Sequence, residues 1–291
     1  MKVGAVIVSY HPDDLFESRV SNIARSVDHV VVVDNTPNGA RASFVNNRVI
    51  YIELKNNFGI ARALNVGVSK LLDMGCELSF LFDQDSEPSS KVFKTMLHSY
   101  ANFFSTDGLV ILGTSYFDTR MNVWSPFISF NGFRLERRSP LGVDKLIPAD
   151  YIITSGTLLS RRVWERVGEF DESLFIDYVD IEWCLRAKNK GVSIYGEPRC
   201  VMTHTLGDEP ISVFGRRLPV HSPIRHYYFF RNCISLLRRN YIPMPFKVRE
   251  FCILPIRFFV YALFTRNKSA HISKMCRGIL DGLLSKSGPY Q

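Results

Sequence analysis

The stretch Phe80-Leu81-Phe82-Asp83-Gln84-Asp85-Ser86 decides how the chain is read. An apolar run from Leu78 to Phe82 stops at Asp83, and a second carboxylate follows one residue later. A strand of that kind delivers both acids to its C-terminal edge, where open α/β sheets bind ligands. No Lys or Arg separates the two carboxylates, so they repel each other unless a cation intervenes. Mg²⁺ is commonly held by one or two carboxylates together with substrate phosphates. A polar loop after a strand is the plain alternative.

The segments around it alternate in the same way. Val3–Ser9, His29–Val33 and Val49–Glu53 are short apolar or β-branched runs, and Leu78–Phe82 is the fourth. Between them, Asp13–Val27 carries Leu15, Val20, Ile23 and Val27 at helical spacing, and a helix is expected from about Ile60 to Met74. Continuous apolar strands alternating with helices predict a mostly parallel sheet covered on both faces, an α/β fold. Further strands are expected at Leu109–Gly113, Trp124–Phe130, Tyr151–Ser160 (broken by Ser155-Gly156), Val192–Tyr195 and Cys200–His204. Helices are expected at Arg161–Val167 and Tyr178–Lys190.

The 291 residues are 46% apolar and 22% charged, enough for a real core in one large or two modest domains. Met1-Lys2 runs straight into Val3–Val8, which reads as a buried strand rather than a signal peptide. The six cysteines form no CxxC pair, which argues against a zinc site or a disulfide framework and suits a reducing compartment. The net charge of +8 is uneven. From residue 211 onward 14 Lys and Arg face 2 Asp and Glu, leaving 22 basic against 26 acidic residues before it. This basic tail suggests an anionic partner, a membrane surface or nucleic acid, although no nucleic-acid motif accompanies it. Its apolar run Phe251–Phe264 is 14 residues long and contains Pro255 and Arg257. A membrane span needs about 20 residues. The run reads as an interfacial element on an anionic leaflet, or else as a helix that completes the domain or a dimer contact.

Several residues carry chemistry in this reading. Asp34 follows Val30–Val33 at a strand end, where it accepts hydrogen bonds from a ribose or base, or simply forms a turn. No GxGxxG follows the first strand, which weakens a dinucleotide dehydrogenase. In Asn56-Asn57-Phe58-Gly59-Ile60-Ala61-Arg62-Ala63, small residues permit close backbone approach. Arg62 then lies near a helix N-terminus, a place that attracts phosphate; a surface Arg on a capped helix is the alternative. In Asp177-Tyr178-Val179-Asp180-Ile181-Glu182, one carboxylate is a candidate general base, while Glu182 and Arg186 are spaced to pair on a helix. His204 ends a strand and is a metal or phosphate contact, or a structural His. Arg225-His226-Tyr227-Tyr228-Phe229-Phe230-Arg231-Asn232 either binds an anion or packs as a snorkelling helix.

Taken in order, Val6-Ile7-Val8-Ser9-Tyr10, Val33-Asp34-Asn35, Asn57-x-Gly59-x-Ala61-x-Ala63-x-Asn65-x-Gly67, Asp83-Gln84-Asp85, Ser155-Gly156, Asp180-x-Glu182-x-x-x-Arg186 and His204 resemble the inverting family 2 glycosyltransferases of GT-A fold. The resemblance spans about residues 3–232. Asp83-Gln84-Asp85-Ser86, with Asp177 to Asp180 and Tyr227-Tyr228-x-x-Arg231-Asn232, is similar to bacterial rhamnosyltransferases that use dTDP-L-rhamnose. It implies a GT-A catalytic domain over residues 1–210, with a donor-binding half to about 115 and an acceptor half over 116–210. Residues 211–291 become a membrane-surface or oligomer element. It implies nucleotide-sugar binding by Tyr10, Asp34, Asn57, Arg62 and Asp83, and a divalent cation, Mg²⁺ or Mn²⁺, at Asp83, Asp85 and His204. Asp180 becomes the catalytic base. Val179 stands where the family pattern has an acid, and Asp177, one turn earlier, is the possible substitute. A lipid-linked saccharide acceptor, a cytoplasmic place at the inner face of the membrane and a possible homo-oligomer follow from the same resemblance. A non-catalytic nucleotide- or carbohydrate-binding protein is the competing reading.

Overall fold

The computed structural model describes residues 1–39, 44, 47–103, 108–119, 122–204, 211–213, 216–218 and 220–290; of the side chains of 204, 211–213 and 216–218 nothing is described. The chain opens with β1 (Lys2–Ser9), α1 (Phe16–Ala24), β2 (His29–Asp34), β3 (Val49–Glu53), α2 (Ile60–Asp73), β4 (Cys76–Asp83) and α3 (Ser90–Ala101). β3, β2, β1 and β4 lie side by side and parallel, with Ser9 opposite Asp34 and Val8 opposite Asp83. Strand alternation sorts the apolar side chains onto two faces. Val6, Val31, Val33 and Leu81 pack under α2, while Ala5, Ile7, Val30, Val32, Phe80 and Phe82 pack with residues of α1 and α3. Every second residue of each strand therefore meets a helix, and the continuous apolar runs follow from burial on both sides.

The second half adds β5 (Val110–Asp118), β6 (Val123–Ser125), β7 (Phe127–Asn131), β8 (Arg134–Arg138), β9 (Ile147–Pro148), β10 (Thr157–Ser160), α4 (Arg161–Val167), α5 (Val179–Asn189) and β11 (Ser193–His204). The large sheet continues from β4 to β10, β5, β11 and β9, and β10 runs antiparallel to both β4 and β5. Four expected strands differ in extent. Only Thr157–Ser160 of the Tyr151–Ser160 run is a strand, because Gly156 adopts φ +69° and its N–H turns to the Leu81 carbonyl. Val192–Tyr195 and Cys200–His204 are parts of one strand, β11, joined across a register shift between Glu197 and Val201. Trp124–Phe130 divides at Pro126 between β6, paired with β5, and β7, paired with β8. The basic tail forms α6 (Pro223–Leu237), α7 (Met244–Phe264) and α8 (Lys268–Leu283). Phe230, Cys233, Phe246 and Met275 from these helices join the same buried cluster as Leu64 and Trp183. The change of composition near residue 210 falls outside the described residues.

Candidate active site

The C-terminal ends of β1, β2 and β4 form one rim. The Gln84 side chain crosses it, accepting a hydrogen bond from the Tyr10 backbone N–H at 2.7 Å, and the Tyr10 ring remains exposed. Asp34 is fully buried just beneath this rim. One carboxylate oxygen accepts from the Ser9 hydroxyl at 3.2 Å and the Thr36 N–H at 3.0 Å; the other accepts from the Tyr51 hydroxyl at 2.7 Å. Asn57 accepts from the Gly59 N–H and from the Asn35 amide, so the turn into α2 is tied to the end of β2. Gly59 has φ +86°, and a Cβ there would lie 2.4 Å from the Phe175 carbonyl oxygen. Only glycine permits that approach. Further along α2, a Cβ on Gly67 would strike Val6 at 2.3 Å, so the helix packs directly on β1. Arg62 leaves the helix N-terminus to pair with Glu172 at 3.2 Å, and Asn65 clamps the backbone N–H and carbonyl of Phe170.

Asp83 ends β4 half-buried, and Asp85 is exposed in the turn beyond it. The Asp83 N–H donates to the Ser155 hydroxyl at 3.3 Å, and Ser155 shares a hydrogen bond with Ser86 at 2.6 Å. The Tyr116 hydroxyl donates to the Ser155 carbonyl, and burial, followed by the charges of Asp83 and Asp85, pushes its phenol above the ordinary value. Tyr116, Asp118, Phe127, Ile128, Tyr151 and Ile152 line a cavity of about 110 Å³. Ser155 and Tyr116 are not among the expected site residues. Ser155-Gly156 is signalled by the strand break and by its place in the family pattern, whereas strand alternation alone cannot mark Tyr116.

Asp180 sits half-buried in the first turn of α5, one oxygen accepting from the Ile181 N–H at 2.8 Å. Burial is the main cause that raises its carboxyl to about 6, and the negative charges of Asp177 and Asp83 add to it. The strand-end acid and the helix acid therefore share one electrostatic site, although 97 residues separate them in the chain. Asp177 is engaged elsewhere, bound by Arg225 at 2.5 and 3.4 Å. Glu182 points away into the core, fully buried among Arg186 at 2.8 Å, Arg239 at 3.4 Å and the Tyr241 hydroxyl at 2.5 Å. Of the three clustered acids, Asp180 is the one that carries no arginine among the described residues, and it feels the charge of Asp83.

His204 ends β11 opposite Asp118, and its side chain lies outside the described residues. Among the described residues no group of three or more His, Cys, Asp and Glu is gathered as a metal cage. Two hard carboxylates at a strand end nonetheless fit Mg²⁺ or Mn²⁺, which take few protein ligands when substrate phosphates supply the rest. Arg62 and Asp34 are brought to the same rim, the first in an ion pair and the second beneath it.

An open α/β sheet with an antiparallel strand inserted beside β4, and acids gathered over its C-terminal edge, is the architecture of GT-A glycosyltransferases. A crystal structure of GalNAc-T7 with UDP, GalNAc and Mn²⁺ superposes with TM-score 0.61 at 11% identity, over 98% of this chain and 56% of that one. The chain thus spans little more than half of that protein. Residues 1-349 of S. aureus TarS superpose with TM-score 0.52 at 13% identity, over 97% of this chain and 81% of that one. No family model matches the sequence. Among curated proteins, the dTDP-rhamnosyl transferase RfbF of Shigella flexneri is 33% identical over 98% of this chain and 96% of its own length. The low-salt glycan biosynthesis hexosyltransferase Agl10 of Haloferax volcanii is 22% identical over 97% of this chain and 91% of its own. The chain belongs to the glycosyltransferases of GT-A fold, in the family of which the dTDP-rhamnosyl transferase is a member.

Proposed function

We propose that the protein transfers L-rhamnose from dTDP-L-rhamnose, with inversion, to a lipid-linked saccharide acceptor in bacterial surface polysaccharide synthesis. The observation that carries the reading is Asp180, a half-buried carboxylate at the start of α5, raised to about 6 and within electrostatic reach of Asp83. A sugar hydroxyl is a weak nucleophile, so a base must take its proton as it attacks the anomeric carbon. Asp180 is that base: it is ionised near neutral pH and basic enough to accept the proton. One base on the acceptor side and a leaving diphosphate on the donor side make a single in-line displacement, which inverts the anomeric centre. The nucleotide lies along the rim of Tyr10, Asp34 and Asn57, and the acceptor half, residues 116–210, supplies the wall that carries Tyr151. Asp83 and Asp85 would hold a divalent cation, which when bound would supply positive charge to offset that of the leaving diphosphate. The name of the Shigella relative supports the donor, and the Mn²⁺ in the GalNAc-T7 structure supports a cation in this fold. Calorimetry with dTDP-L-rhamnose, UDP-sugars and GDP-sugars tests the donor; equal binding to all three would sink it. The non-catalytic alternative requires that no donor be turned over.

Asp85→Asn is expected to remove the metal dependence of donor binding and to leave the fold intact, because Asp85 is exposed in a strand-end turn. dTDP affinity with and without Mn²⁺ is the measurement. Retained metal dependence in the variant would show that Asp85 is not a ligand.

The basic tail divides its faces. Arg257 turns inward: it pairs with buried Glu250 at 2.9 Å and lies over the Phe229 ring, 4.9 Å from its centroid. Phe246 and Leu254 turn inward with it, whereas a second row of apolar residues turns outward. Phe251, Ile256, Phe259 and Leu263, at 71%, 61%, 63% and 59% exposure, continue a stripe begun by Met244 and Val248. Exposed Arg266 and Lys268 follow at its end. An apolar stripe on a basic element suits an anionic lipid surface, where each nearby Lys or Arg contributes about 1 kcal/mol. No helix among the described residues is long and apolar enough to cross a membrane. Membrane association at the inner leaflet would place residues 211–291 against the lipid and the site of residues 1–210 within reach of a lipid-linked acceptor. Phe251→Ser with Phe259→Ser is expected to release the protein from anionic vesicles, and salt to weaken the binding that remains. Co-sedimentation decides it. Equal, negligible binding of both proteins to anionic and neutral vesicles would leave the stripe as a contact between copies of the chain.

A further inference from the structure

The segment that leads into Asp180 is strained, and the C-terminal part of the chain holds it. Phe175, Asp177 and Tyr178 have φ of 66°, 62° and 65°, left-handed values that bulky side chains rarely adopt. Tyr178 is the residue just before α5, so its conformation sets where that helix begins and where Asp180, its second residue, points. A backbone held in this way must be over-determined by its surroundings.

The surroundings are α2 on one side and α6 on the other. From the donor side, the Ile60 N–H donates to the Phe175 carbonyl at 2.8 Å. From α6, the fully buried Asn232 amide donates to three carbonyls, Leu174 at 2.9 Å, Ile176 at 2.7 Å and Asp177 at 2.9 Å. Buried Arg231 donates to Ser173 at 3.1 Å and Leu174 at 2.9 Å, and the Tyr228 ring stacks on Phe175 at 4.8 Å. The last described residues close the arrangement. Arg231 also donates to the Gly288 carbonyl at 2.5 Å, the Gly288 N–H returns to the Ser173 carbonyl at 2.8 Å, and the Tyr290 N–H donates to the Tyr228 hydroxyl at 2.7 Å. The Ser173, Ile176 and Asp177 carbonyls thus find their donors in α6 and the C-terminal residues, the Phe175 carbonyl finds its donor in α2, and the Leu174 carbonyl adds Arg231 and Asn232 to the local Ile176 N–H.

We infer that Arg231, Asn232 and the C-terminal segment Gly288–Tyr290 are positioning residues, which hold the left-handed segment 175–178 and through it aim the Asp180 carboxylate. The inference rests on the reading of Asp180 as base. Arg231 and Asn232 donate to the backbone carbonyls of this segment, so their effect on rate passes through the segment they hold. Tyr227-Tyr228-x-x-Arg231-Asn232, an anion-binding candidate in the sequence, thereby serves the fold instead. Its polar groups face inward, and its aromatic rings pack around them.

The test is a double-mutant cycle in the full-length protein, reading dTDP release from dTDP-L-rhamnose with water as acceptor. Asn232→Ala is expected to lower kcat by about 10–100-fold, the scale of a misplacement near 1 Å, with the donor KM within about threefold. In an Asp180→Asn background the same change should cost less than about threefold, because residues acting as one unit are not additive. An equal loss in both backgrounds, or a lowered melting temperature with kcat unchanged, would overturn the positioning role. Should Asn232→Ala fail to fold, a chain ending at Ser287, which loses both Gly288 hydrogen bonds, takes its place with an expected loss of about 3–10-fold. If Asp180→Asn alone turns over like the parent, the base assignment has failed rather than the clamp. Amide exchange then decides: unchanged protection at residues 173–178 in Asn232→Ala would overturn the clamp itself.

Discussion

Asp180→Asn is expected to remove sugar transfer while leaving dTDP binding nearly unchanged. A lost general base costs about 10²–10⁴ in rate. The substitution keeps the shape of the side chain and removes the proposed proton acceptor, and the proposed donor rim of Tyr10, Asp34 and Asn57 lies outside α5. The parent enzyme should show an acidic limb in its rate profile set by the same carboxyl. Asp180 serves only when ionised, so activity falls as pH drops through about 6. Burial is the largest cause of the shift and persists with substrate present, whereas the push from Asp83 fades if a cation binds there. The limb should therefore stay above the ordinary aspartate value. Steady-state rates across the acidic and neutral range, with dTDP affinity by calorimetry, measure both parts. If Asp177→Asn abolishes turnover and Asp180→Asn does not, the base is Asp177, and the Arg225 ion pair opens during catalysis.

Glu250→Ala should be among the most destabilising single changes in the chain. Glu250 is 2% exposed and accepts hydrogen bonds from the Tyr178 hydroxyl at 2.7 Å, from Arg257 at 2.9 Å and from Arg249. Removing it leaves two guanidinium groups packed into the protein without their anion and the buried Tyr178 hydroxyl without its acceptor. Breaking a buried ion pair by deleting one partner costs about 3–5 kcal/mol. The expected fall in melting temperature is roughly 5–15 °C for a chain of this size. Because Tyr178 begins the turn into α5, residual activity should fall further than the unfolded fraction explains. A loss below about 1 kcal/mol in chemical denaturation would show that this network is not holding the tail to the catalytic body. The same network explains why excising everything after residue 245 is a poor probe of membrane binding: it would remove Glu250 and Arg257 from beneath the catalytic loop along with the outward stripe.

The N-terminal half, β1 to α3, is largely legible in the sequence. Val30–Val33 is apolar without interruption, and Leu78–Phe82 with only Ser79 between, because both sheet faces are covered, and that pattern places parallel strands and the carboxylates at their ends. Arg161–Val167 is legible to its boundaries, since Ser160 caps its first turn and Gly168 follows its last. The small-residue pattern of Gly59 to Gly67 announces close packing, and Gly59 and Gly67 meet Phe175 and Val6 as that pattern requires. The antiparallel β10 is less visible: its register depends on Leu158 meeting both Phe80 and Leu112, which lie far away in the chain.

What the sequence by itself determined is the alternation of elements and the residue types at strand ends, because burial periodicity and backbone propensity are local. The resemblance points to Asp180 among the clustered acids, and the ion pairs that set it apart from its neighbours exist only in the tertiary structure. Asp177, Asp180 and Glu182 lie within six residues and look alike in sequence. Arg225 from α6 takes the first, and Arg186, Arg239 and Tyr241 take the last into the core. Asp180 is left without such a partner among the described residues, raised by burial and by the charges of Asp177 and Asp83. The direction of the tail was settled the same way. Arg257 interrupts an apolar run in the sequence, yet it turns inward because Glu250, two helical turns earlier on the same face, is already buried beneath Tyr178. A charge is buried only where an opposite charge waits, and no linear pattern records which partner the fold supplies.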